Sequence, residues 1–316
     1  MHKILQSLLK ARTVIISGHV RPDGDCIGSC LGMYHYIRDN YPEIDVSVYL
    51  EDVPSAYRIL PGSEQIRTDE PDLPPCDLFI ALDCSEKERL GRYGRYFSQA
   101  GYCICIDHHI SNTGYADENL IRADASSASE VLCDVLDSSR ISEKAALALY
   151  TGIICDSGVF KYSCTSRHTM EMAGMLMEKG IPYTQIIDMV FYERTYTQAQ
   201  VLGYCLQKSR LSCGGALISC VLTKEEMDRF GAVHGDLESI VSEMKLTKGT
   251  EVSLFLYYTN DGMLRVSLRS AGKVNVRAMA ECYGGGGHTL ASGATASGDP
   301  EDVIARIGEM LMEQLG

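Results

Sequence analysis

The sequence predicts an α/β fold with two lobes, on the evidence of its composition and of two patterns of apolar residues. The chain has 316 residues, 45% hydrophobic and 22% charged, which is enough for two ordinary domain cores. In the first half, short apolar runs alternate with amphipathic stretches, as expected when helices flank a mainly parallel sheet. Near residue 208 the pattern changes to strands joined by tight turns. We therefore predict an N-terminal catalytic domain at 1–190, a helical linker at 191–207 and a smaller C-terminal α/β domain at 208–316.

The elements of the first lobe follow from its apolar runs. Four runs bounded by turn-forming residues have the length of strands, at 13–17, 45–50, 78–82 and 102–106. After the first run, apolar residues recur three and four positions apart, which predicts a helix over 26–38 that faces the sheet. Later stretches predict further helices at 142–155, 166–179, 182–194 and 195–209.

The second lobe combines strands with a helix start that the sequence marks clearly. Thr223 is followed three residues later by Glu226, which is the capping-box signature of a helix N-terminus. A turn over 259–263, centred on Asp261-Gly262, predicts a hairpin. Strands are predicted at 216–222, 251–258 and 264–268.

Charge and cysteine usage exclude several classes of protein. The 42 acidic residues outnumber the 29 basic ones, and a net charge of −13 disfavours a protein that coats long nucleic acid. A polyanionic ligand must then be met locally, by a metal ion or a pocket. No apolar run approaches the roughly 18 residues of a membrane span, and no secretory signal is visible, so we expect a cytoplasmic protein without a membrane partner. The 13 cysteines form no CxxC pair, which argues against a disulfide scaffold and a thiolate zinc site.

Acidic and imidazole side chains follow the predicted strands at the edge where those strands end. His19, Asp23 and Asp25 share the segment after the first strand, and Asp83 follows the third. The fourth strand ends in the triplet 107–109, with the sequence Asp-His-His. Open parallel sheets bind ligands at this edge. Single aspartates here also suit turns or helix caps, but those readings do not explain His19.

The side chains gathered at this edge predict a metal site. Asp156 ends the apolar stretch 147–155, which would carry its carboxylate to the same core. Two imidazoles with four carboxylates suit a divalent ion, with Mn²⁺ favoured and Mg²⁺, Fe²⁺, Co²⁺ or Zn²⁺ as alternatives. Two ions about 3.5–4 Å apart can clamp an in-line displacement at phosphorus. The candidate ligands are His19, Asp23, Asp25, Asp83, His108 and Asp156.

In order along the chain, these clusters resemble the four motifs of the DHH phosphoesterase superfamily. The first motif is matched by His19, Asp23 and Asp25, the second by Asp83, the third by Asp107, His108 and His109, and the fourth by Asp156. The resemblance implies one ion held by His19, Asp23 and Asp83, and a second held by Asp25, Asp83, His108 and Asp156. It also implies two catalytic residues: His109 approaches the scissile phosphate, and Asp107 orients an imidazole.

The C-terminal part resembles the DHHA1 domain through two segments, 265–270 (RVSLRS) and 284–288 (GGGGH). Gly284 suits the C′ position of a helix predicted over 274–283. The later glycines would let backbone N–H groups approach a phosphate, although a flexible turn is the alternative. The resemblance implies a substrate-binding set of Arg269, Gly285, Gly286, Gly287 and His288. For His168 and the serines at 126–129, the start of a helix is the preferred interpretation.

The resemblance covers almost the whole chain and implies a metal-dependent phosphoesterase. Its expected substrates are RNA oligonucleotides of a few residues, cleaved to mononucleotides, and 3′-phosphoadenosine 5′-phosphate (pAp), converted to AMP. Four alternatives stay open: a phosphodiesterase for linear or cyclic dinucleotides such as pApA and pGpG, a RecJ-like single-strand exonuclease, an inorganic pyrophosphatase, and an RNA- or nucleotide-binding module without catalysis. The sequence leaves the metal, the direction of attack and a homodimer undecided.

Overall fold

The computed structural model describes residues 3–259 and 261–316, in two compact units that divide between Glu193 and Arg194. Asn260, which belongs to the predicted turn over 259–263, lies outside the described residues. Each unit has its own sheet and its own hydrophobic core. In the described part of the chain, no helix is both long and apolar enough to cross a bilayer.

The first unit contains a parallel sheet that confirms the predicted α/β class. Its strands are β1 (Thr13–Ser17), β2 (Asp45–Tyr49), β3 (Leu78–Leu82), β4 (Tyr102–Asp107) and β5 (Glu118–Ile121). The order across the sheet is β2-β1-β3-β4-β5. The sequence did not predict β5, because its polar and half-exposed residues form no apolar run. Since β1, β3 and β4 are neighbours, their carboxyl ends deliver the predicted site residues to one edge.

Helices cover this sheet, and three of them, over residues 24–40, 143–156 and 167–177, lie where the sequence predicts them. They are α1 (Lys3–Leu8), α2 (Gly24–Asn40), α3 (Gly94–Gln99), α4 (Ala128–Val135), α5 (Glu143–Asp156), α6 (Arg167–Met177) and α7 (Tyr183–Ile187). The prediction of one continuous helix over 182–194 is wrong, because α7 ends at Ile187 and a π-helical turn follows at Asp188–Tyr192. Through this turn, Val190 and Phe191 pack against the first core.

Helices α2 and α5 approach each other closely, and glycines make this approach feasible. A Cβ atom at Gly28 would lie 2.5 Å from the carbonyl oxygen of Ala148, which is a backbone atom that cannot move aside. A Cβ atom at Gly152 would overlap Ser129 Oγ and lie 2.6 Å from Asp25 Oδ1. The close contact therefore brings the first turn of α2 beside the last turns of α5, at the strand edge.

The second unit has a mixed sheet. Its strands are β6 (Arg210–Ser212), β7 (Leu217–Leu222), β8 (Val252–Tyr258), β9 (Leu264–Ser270), β10 (Gly286–His288) and β11 (Ala291–Ala296), in the order β10-β11-β9-β8-β7-β6. Strands β7 and β8 are parallel, and the other neighbours are antiparallel. The helices are α8 (Tyr196–Lys208), α9 (Lys224–Phe230), α10 (Ile240–Lys245), α11 (Val276–Glu281) and α12 (Pro300–Leu315).

Several local predictions for this unit can be compared with the structure. The capping box of Thr223 and Glu226 begins α9, as predicted. Helix α8, which falls in the predicted linker, packs into the second unit through Val201 and Cys205. The glycine segment was predicted as a loop, but its residues 286–288 form β10, because they pair with β11.

Candidate metal centre

Asp83 lies at the centre of a buried cluster at the end of the first sheet. It follows β3 directly, adopts a left-handed backbone conformation with φ of 51° and is only 2% exposed. Its Oδ2 atom lies 3.4 Å from His19 Nε2, and its Oδ1 atom lies 3.5 Å from His108 Nε2. One carboxylate therefore faces imidazoles that come from two different strand ends.

The loop after β1 supplies the next two side chains. The ring of His19 is fixed by a hydrogen bond of 2.9 Å from Nδ1 to the carbonyl oxygen of Val20, so Nε2 points towards the cluster. Nε2 lies 3.5 Å from Asp23 Oδ2. The other oxygen of Asp23 accepts hydrogen bonds from the backbone N–H groups of Asp25 and Cys26 and caps α2. Asp23 is thus both a helix cap and part of the cluster.

The other side of the cluster is built from two helices and the DHH triplet. His108 Nε2 lies 3.1 Å from Asp156 Oδ2 and 4.0 Å from Asp25 Oδ2. Asp25 belongs to the first turn of α2, and Asp156 is the last residue of α5. The structure therefore brings together the six residues that the sequence proposed as ligands.

Asp107 and His109 form a hydrogen-bonded pair next to Asp83, whose Oδ1 atom lies 3.5 Å from His109 Nδ1. His109 Nδ1 donates to Asp107 Oδ1 at 2.8 Å, and the backbone N–H of His108 donates to the same oxygen at 2.8 Å. The amide of Asn112 donates to Asp107 Oδ2 at 2.7 Å. Burial raises the pKa of Asp107, but the bonds from His109 and Asn112 outweigh it and lower the pKa. Asp107 therefore orients the ring of His109, and Asn112 is a contributor that the sequence did not suggest.

The electrostatics of the cluster favour a bound cation. Burial lowers the pKa of His19, but Asp23 and Asp83 outweigh that effect and raise it to about 11. Burial and the neighbouring charges of Asp83 and Asp156 raise the pKa of Asp25. The carboxylates thus repel one another in a poorly hydrated site, and positive charge is needed to hold them together.

The donor atoms themselves fit a divalent ion. Asp83 Oδ1 and His108 Nε2 are buried and, among the described residues, have no hydrogen-bond partner. Such atoms are costly unless a ligand satisfies them, and carboxylate oxygens with imidazole nitrogens suit divalent cations. The acidic and histidine cluster could therefore hold metal ions.

Cys26 also lies within ligand distance of His19 and Asp83. The sequence did not propose it as a ligand. Its thiol donates weakly to the carbonyl oxygen of His19 at 3.9 Å, and burial raises its pKa. A neutral thiol is a poor ligand, so Cys26 supports the histidine loop.

Two of the proposed substrate residues of the second unit, Arg269 and His288, share one face of its sheet. His288 is paired with Ala291, and Ala291 is paired with Arg269, so these three residues form one row across β10, β11 and β9. Residues directly opposite in a sheet point to the same side. Arg265 lies on this face as well, because the burial of β9 alternates strictly.

Backbone conformation and close packing explain why three of the positions near this row are glycines. Gly284 has φ of 69° and its N–H donates to the carbonyl oxygen of Glu281, which terminates α11 as predicted. A Cβ atom at Gly285 would lie 2.5 Å from Ala294 Cβ, and one at Gly287 would lie 2.6 Å from the carbonyl oxygen of Ala291. Beside Gly286 there is open space.

His168 and Ser127, which the sequence analysis interpreted as residues at helix starts, do lie at the starts of helices. His168 lies in the first turn of α6 and its Nε2 atom is 2.9 Å from Asp134 Oδ1. Ser127 caps α4 by accepting the backbone N–H of Glu130. Neither residue belongs to the metal cluster.

Comparison with known proteins agrees with this geometry. Residues 13–153 match the DHH family, N-terminal domain, and residues 215–315 match the DHHA1 domain. The chain therefore carries a DHH domain and a DHHA1 domain. The first match contains five of the six candidate ligands and the DHH triplet, whereas Asp156 lies just beyond its end; the second contains the sheet face with Arg269 and His288.

Several named proteins match this chain over nearly its whole length. A Thermus thermophilus protein named bifunctional oligoribonuclease and PAP phosphatase NrnA is 28% identical over 99% of this chain and 94% of the relative. The Bacillus subtilis protein of the same name is 29% identical over 99% of this chain and 98% of the relative. The crystal structure of an exopolyphosphatase-related protein from Bacteroides fragilis has a TM-score of 0.87 and 28% identity, covering 98% of this chain and 94% of that one.

Proposed function

We propose that the chain is a metal-dependent phosphoesterase that hydrolyses short oligoribonucleotides to mononucleotides and pAp to AMP. The observation that carries the proposal is Asp83, whose two carboxylate oxygens face His19 and His108 separately. A carboxylate in this position suits a bridge between two cations. Relatives named for oligoribonuclease and PAP phosphatase activity, aligned over 99% of the chain, support the choice of substrates.

The cluster divides naturally into two cation sites that share Asp83. His19, Asp23 and Asp83 would hold one ion, and Asp25, Asp83, His108 and Asp156 would hold the other. Mn²⁺ is the favoured ion, because the set mixes imidazole nitrogen with carboxylate oxygen and contains no thiolate. When bound, the ions would supply Lewis acidity to water and to the phosphoryl oxygens.

The residues beside the ions have roles of their own in this proposal. Through its Nε2 atom, His109 would act as a donor to an oxygen of the scissile phosphate or of the leaving group. Asp107, which is bonded to Nδ1 at 2.8 Å, holds the ring in place. Burial of Asp107 and its second bond from Asn112 keep this orientation fixed.

The second unit would bind a further part of the substrate. Arg269 and His288 lie in one cross-strand row and offer N–H donors suited to phosphate oxygens. The open space beside Gly286 lets a ligand approach the backbone. Gly285 and Gly287 would contribute by letting β10 pack against β11, since a Cβ atom at either position would clash with that strand. The backbone N–H of Gly285 already donates to the carbonyl oxygen of Ala280.

A substrate panel tests the proposal directly. With Mn²⁺, the purified chain should release mononucleotides from RNA of two to five residues and AMP from pAp, and should cleave longer RNA more slowly. Linear dinucleotides such as pApA and pGpG belong in the same panel. Equal preference for long single-stranded DNA would support the exonuclease alternative, and rapid hydrolysis of pyrophosphate would support the pyrophosphatase alternative. Either result would overturn the proposal.

A further inference from the structure

A cavity of about 550 Å³ opens beside the metal cluster in the first unit. His108, His109 and Asp156 contribute to its wall, so the cavity is continuous with the cluster. The rest of the wall consists of the apolar side chains of Ile110, Ala123 and Ala125, together with Ser111, Ser126 and Cys164. A phosphate at the cluster would therefore have a partly apolar recess next to it.

Ile110 is the largest apolar side chain in this wall, and it is 86% exposed. It follows the DHH triplet directly, so the backbone that presents it is fixed by the contacts of Asp107. A single exposed apolar residue needs no explanation in general. Ile110 lines the cavity beside the metal cluster, so it can contact a ligand bound at the cluster, and its side chain is not packed into a hydrophobic core.

Another part of the wall, the segment 125–126, is fixed by hydrogen bonds. Ser126 donates to Glu130 Oε2 through its backbone N–H at 3.0 Å and through its hydroxyl at 2.5 Å. The hydroxyl of Thr169 donates to the same oxygen at 2.8 Å. Glu130 is buried, so this network clamps the segment that carries Ala125 and Ser126. This part of the wall is therefore held in place by the protein itself and needs no ligand to order it.

We infer that this pocket binds the nucleoside attached to the phosphorus atom under attack. The inference rests on the proposed function and deepens it by assigning a place for one base. The volume lies within the roughly 300–1,000 Å³ typical of pockets for one small ligand. Ile110, Ala123 and Ala125 would hold the base by apolar contact, and the side chain of Ser111 adds a polar atom to the same wall.

Kinetics with a matched pair of substrates test the inference. One substrate is an RNA dinucleotide, and the other is the same dinucleotide with the base of one nucleoside replaced by hydrogen, each nucleoside in turn. The variants are Ile110→Ser, which removes the apolar wall, and Ala123→Leu, which fills the pocket. Both positions are exposed, so the fold tolerates the changes. Matched controls are Ile59→Ser and Ala305→Leu, which are exposed positions outside the pocket.

The expected result is a loss of binding that depends on the base. Each pocket variant should raise KM for the dinucleotide with both bases about tenfold and leave kcat within twofold. For one of the two abasic substrates, KM should be high already and unchanged by either variant. Equal effects on the base-bearing and both abasic substrates, or no effect on any of them, would overturn the inference.

A binding measurement separates this inference from the proposed function. Adenosine carries no phosphate, so equilibrium dialysis of adenosine with the metal-free chain reports on the pocket alone. We expect weak binding that Ala123→Leu reduces at least fivefold and Ala305→Leu leaves unchanged. If the chain hydrolyses dinucleotides but does not bind adenosine in the pocket, the inferred nucleoside site is contradicted and the proposed phosphoesterase function is not. If the chain binds adenosine but hydrolyses no nucleotide, the proposed phosphoesterase function is contradicted, and with it the role of the pocket in catalysis.

Discussion

Asp25 Oδ2 accepts a hydrogen bond of 2.6 Å from the backbone N–H of Ala128. Its other oxygen accepts one of 3.0 Å from the backbone N–H of Ser129. Both donors belong to the first turn of α4, where unpaired N–H groups and the helix dipole favour a negative charge. This buried carboxylate is therefore held in position by a helix end before any cation contributes.

Gly152 gives the first prediction, because its Cα faces this arrangement directly. A methyl group there would overlap Ser129 Oγ and lie 2.6 Å from Asp25 Oδ1. Gly152→Ala should lower the free energy of unfolding by about 2–4 kcal/mol, since the buried contact cannot relax. Urea unfolding of the whole chain, followed by circular dichroism, measures the change.

Gly174 is the matched control for this substitution. It lies in α6, and a Cβ atom there would meet nothing within 4 Å. Gly174→Ala should raise stability by about 0.5–1 kcal/mol, because alanine favours the helix. If the two substitutions changed the free energy of unfolding alike, close packing at Gly152 would not be the cause.

The second prediction concerns the orientation of His109. Asp107→Asn keeps the shape of the side chain but removes the charge that faces Nδ1 at 2.8 Å. We expect kcat to fall by about 10²–10⁴-fold while the metal content stays the same, as for loss of a positioned acid. Kinetics and metal analysis of the same preparation measure both quantities. The exposed Asp124→Asn is the control, and loss of metal from the Asp107 variant would contradict the assigned role.

The third prediction is a pH dependence in the second unit. Burial raises the pKa of Glu226, but bonds from Lys208, Tyr204 and the backbone of Thr223 outweigh it and lower the pKa to about 2. The unfolded value is about 4.3. Because the folded pKa is the lower one, the contribution to stability is complete above about pH 4.3 and is lost as the pH falls towards 2.

Glu226→Gln should therefore destabilise the second unit by about 1–2 kcal/mol at pH 7 and by much less near pH 2. Hydrogen exchange of the amides in α8 and β7, measured by mass spectrometry, localises the effect. Glu225→Gln is the neighbouring control in the same helix. A destabilisation of equal size at both pH values would show that shape, and not charge, accounts for the loss.

The sequence could predict those parts of the fold that consist of continuous or periodic apolar residues. Strands β1, β3 and β4 are uninterrupted apolar runs, so their bounds were predicted almost to the residue. Strands β5 and β10 could not be predicted, because one is polar and the other is largely glycine, and only pairing with a neighbour makes them strands. The π-helical turn after α7 likewise depends on packing against the first core.

The same distinction holds at the metal centre. Its six candidate ligands carry distinctive side chains at strand and helix ends, so residue type and position were enough to propose them. The N–H groups of Ala128 and Ser129 were missed, since a backbone donor has no residue signature and lies over 100 positions from Asp25 in sequence. The role of Gly152 was missed for a related reason, because it arises only where α2 meets α5.

The stoichiometry of bound Mn²⁺ tests the central claim, that Asp83 joins two cation sites, most directly. The unchanged chain should bind two ions, counted by elemental analysis after equilibrium dialysis. Asp83→Asn preserves the volume of the side chain but removes its charge, so it should bind at most one ion and lose hydrolysis, whereas Asp107→Asn should still bind two. Two ions bound to the Asp83→Asn chain with unchanged affinity would contradict the account.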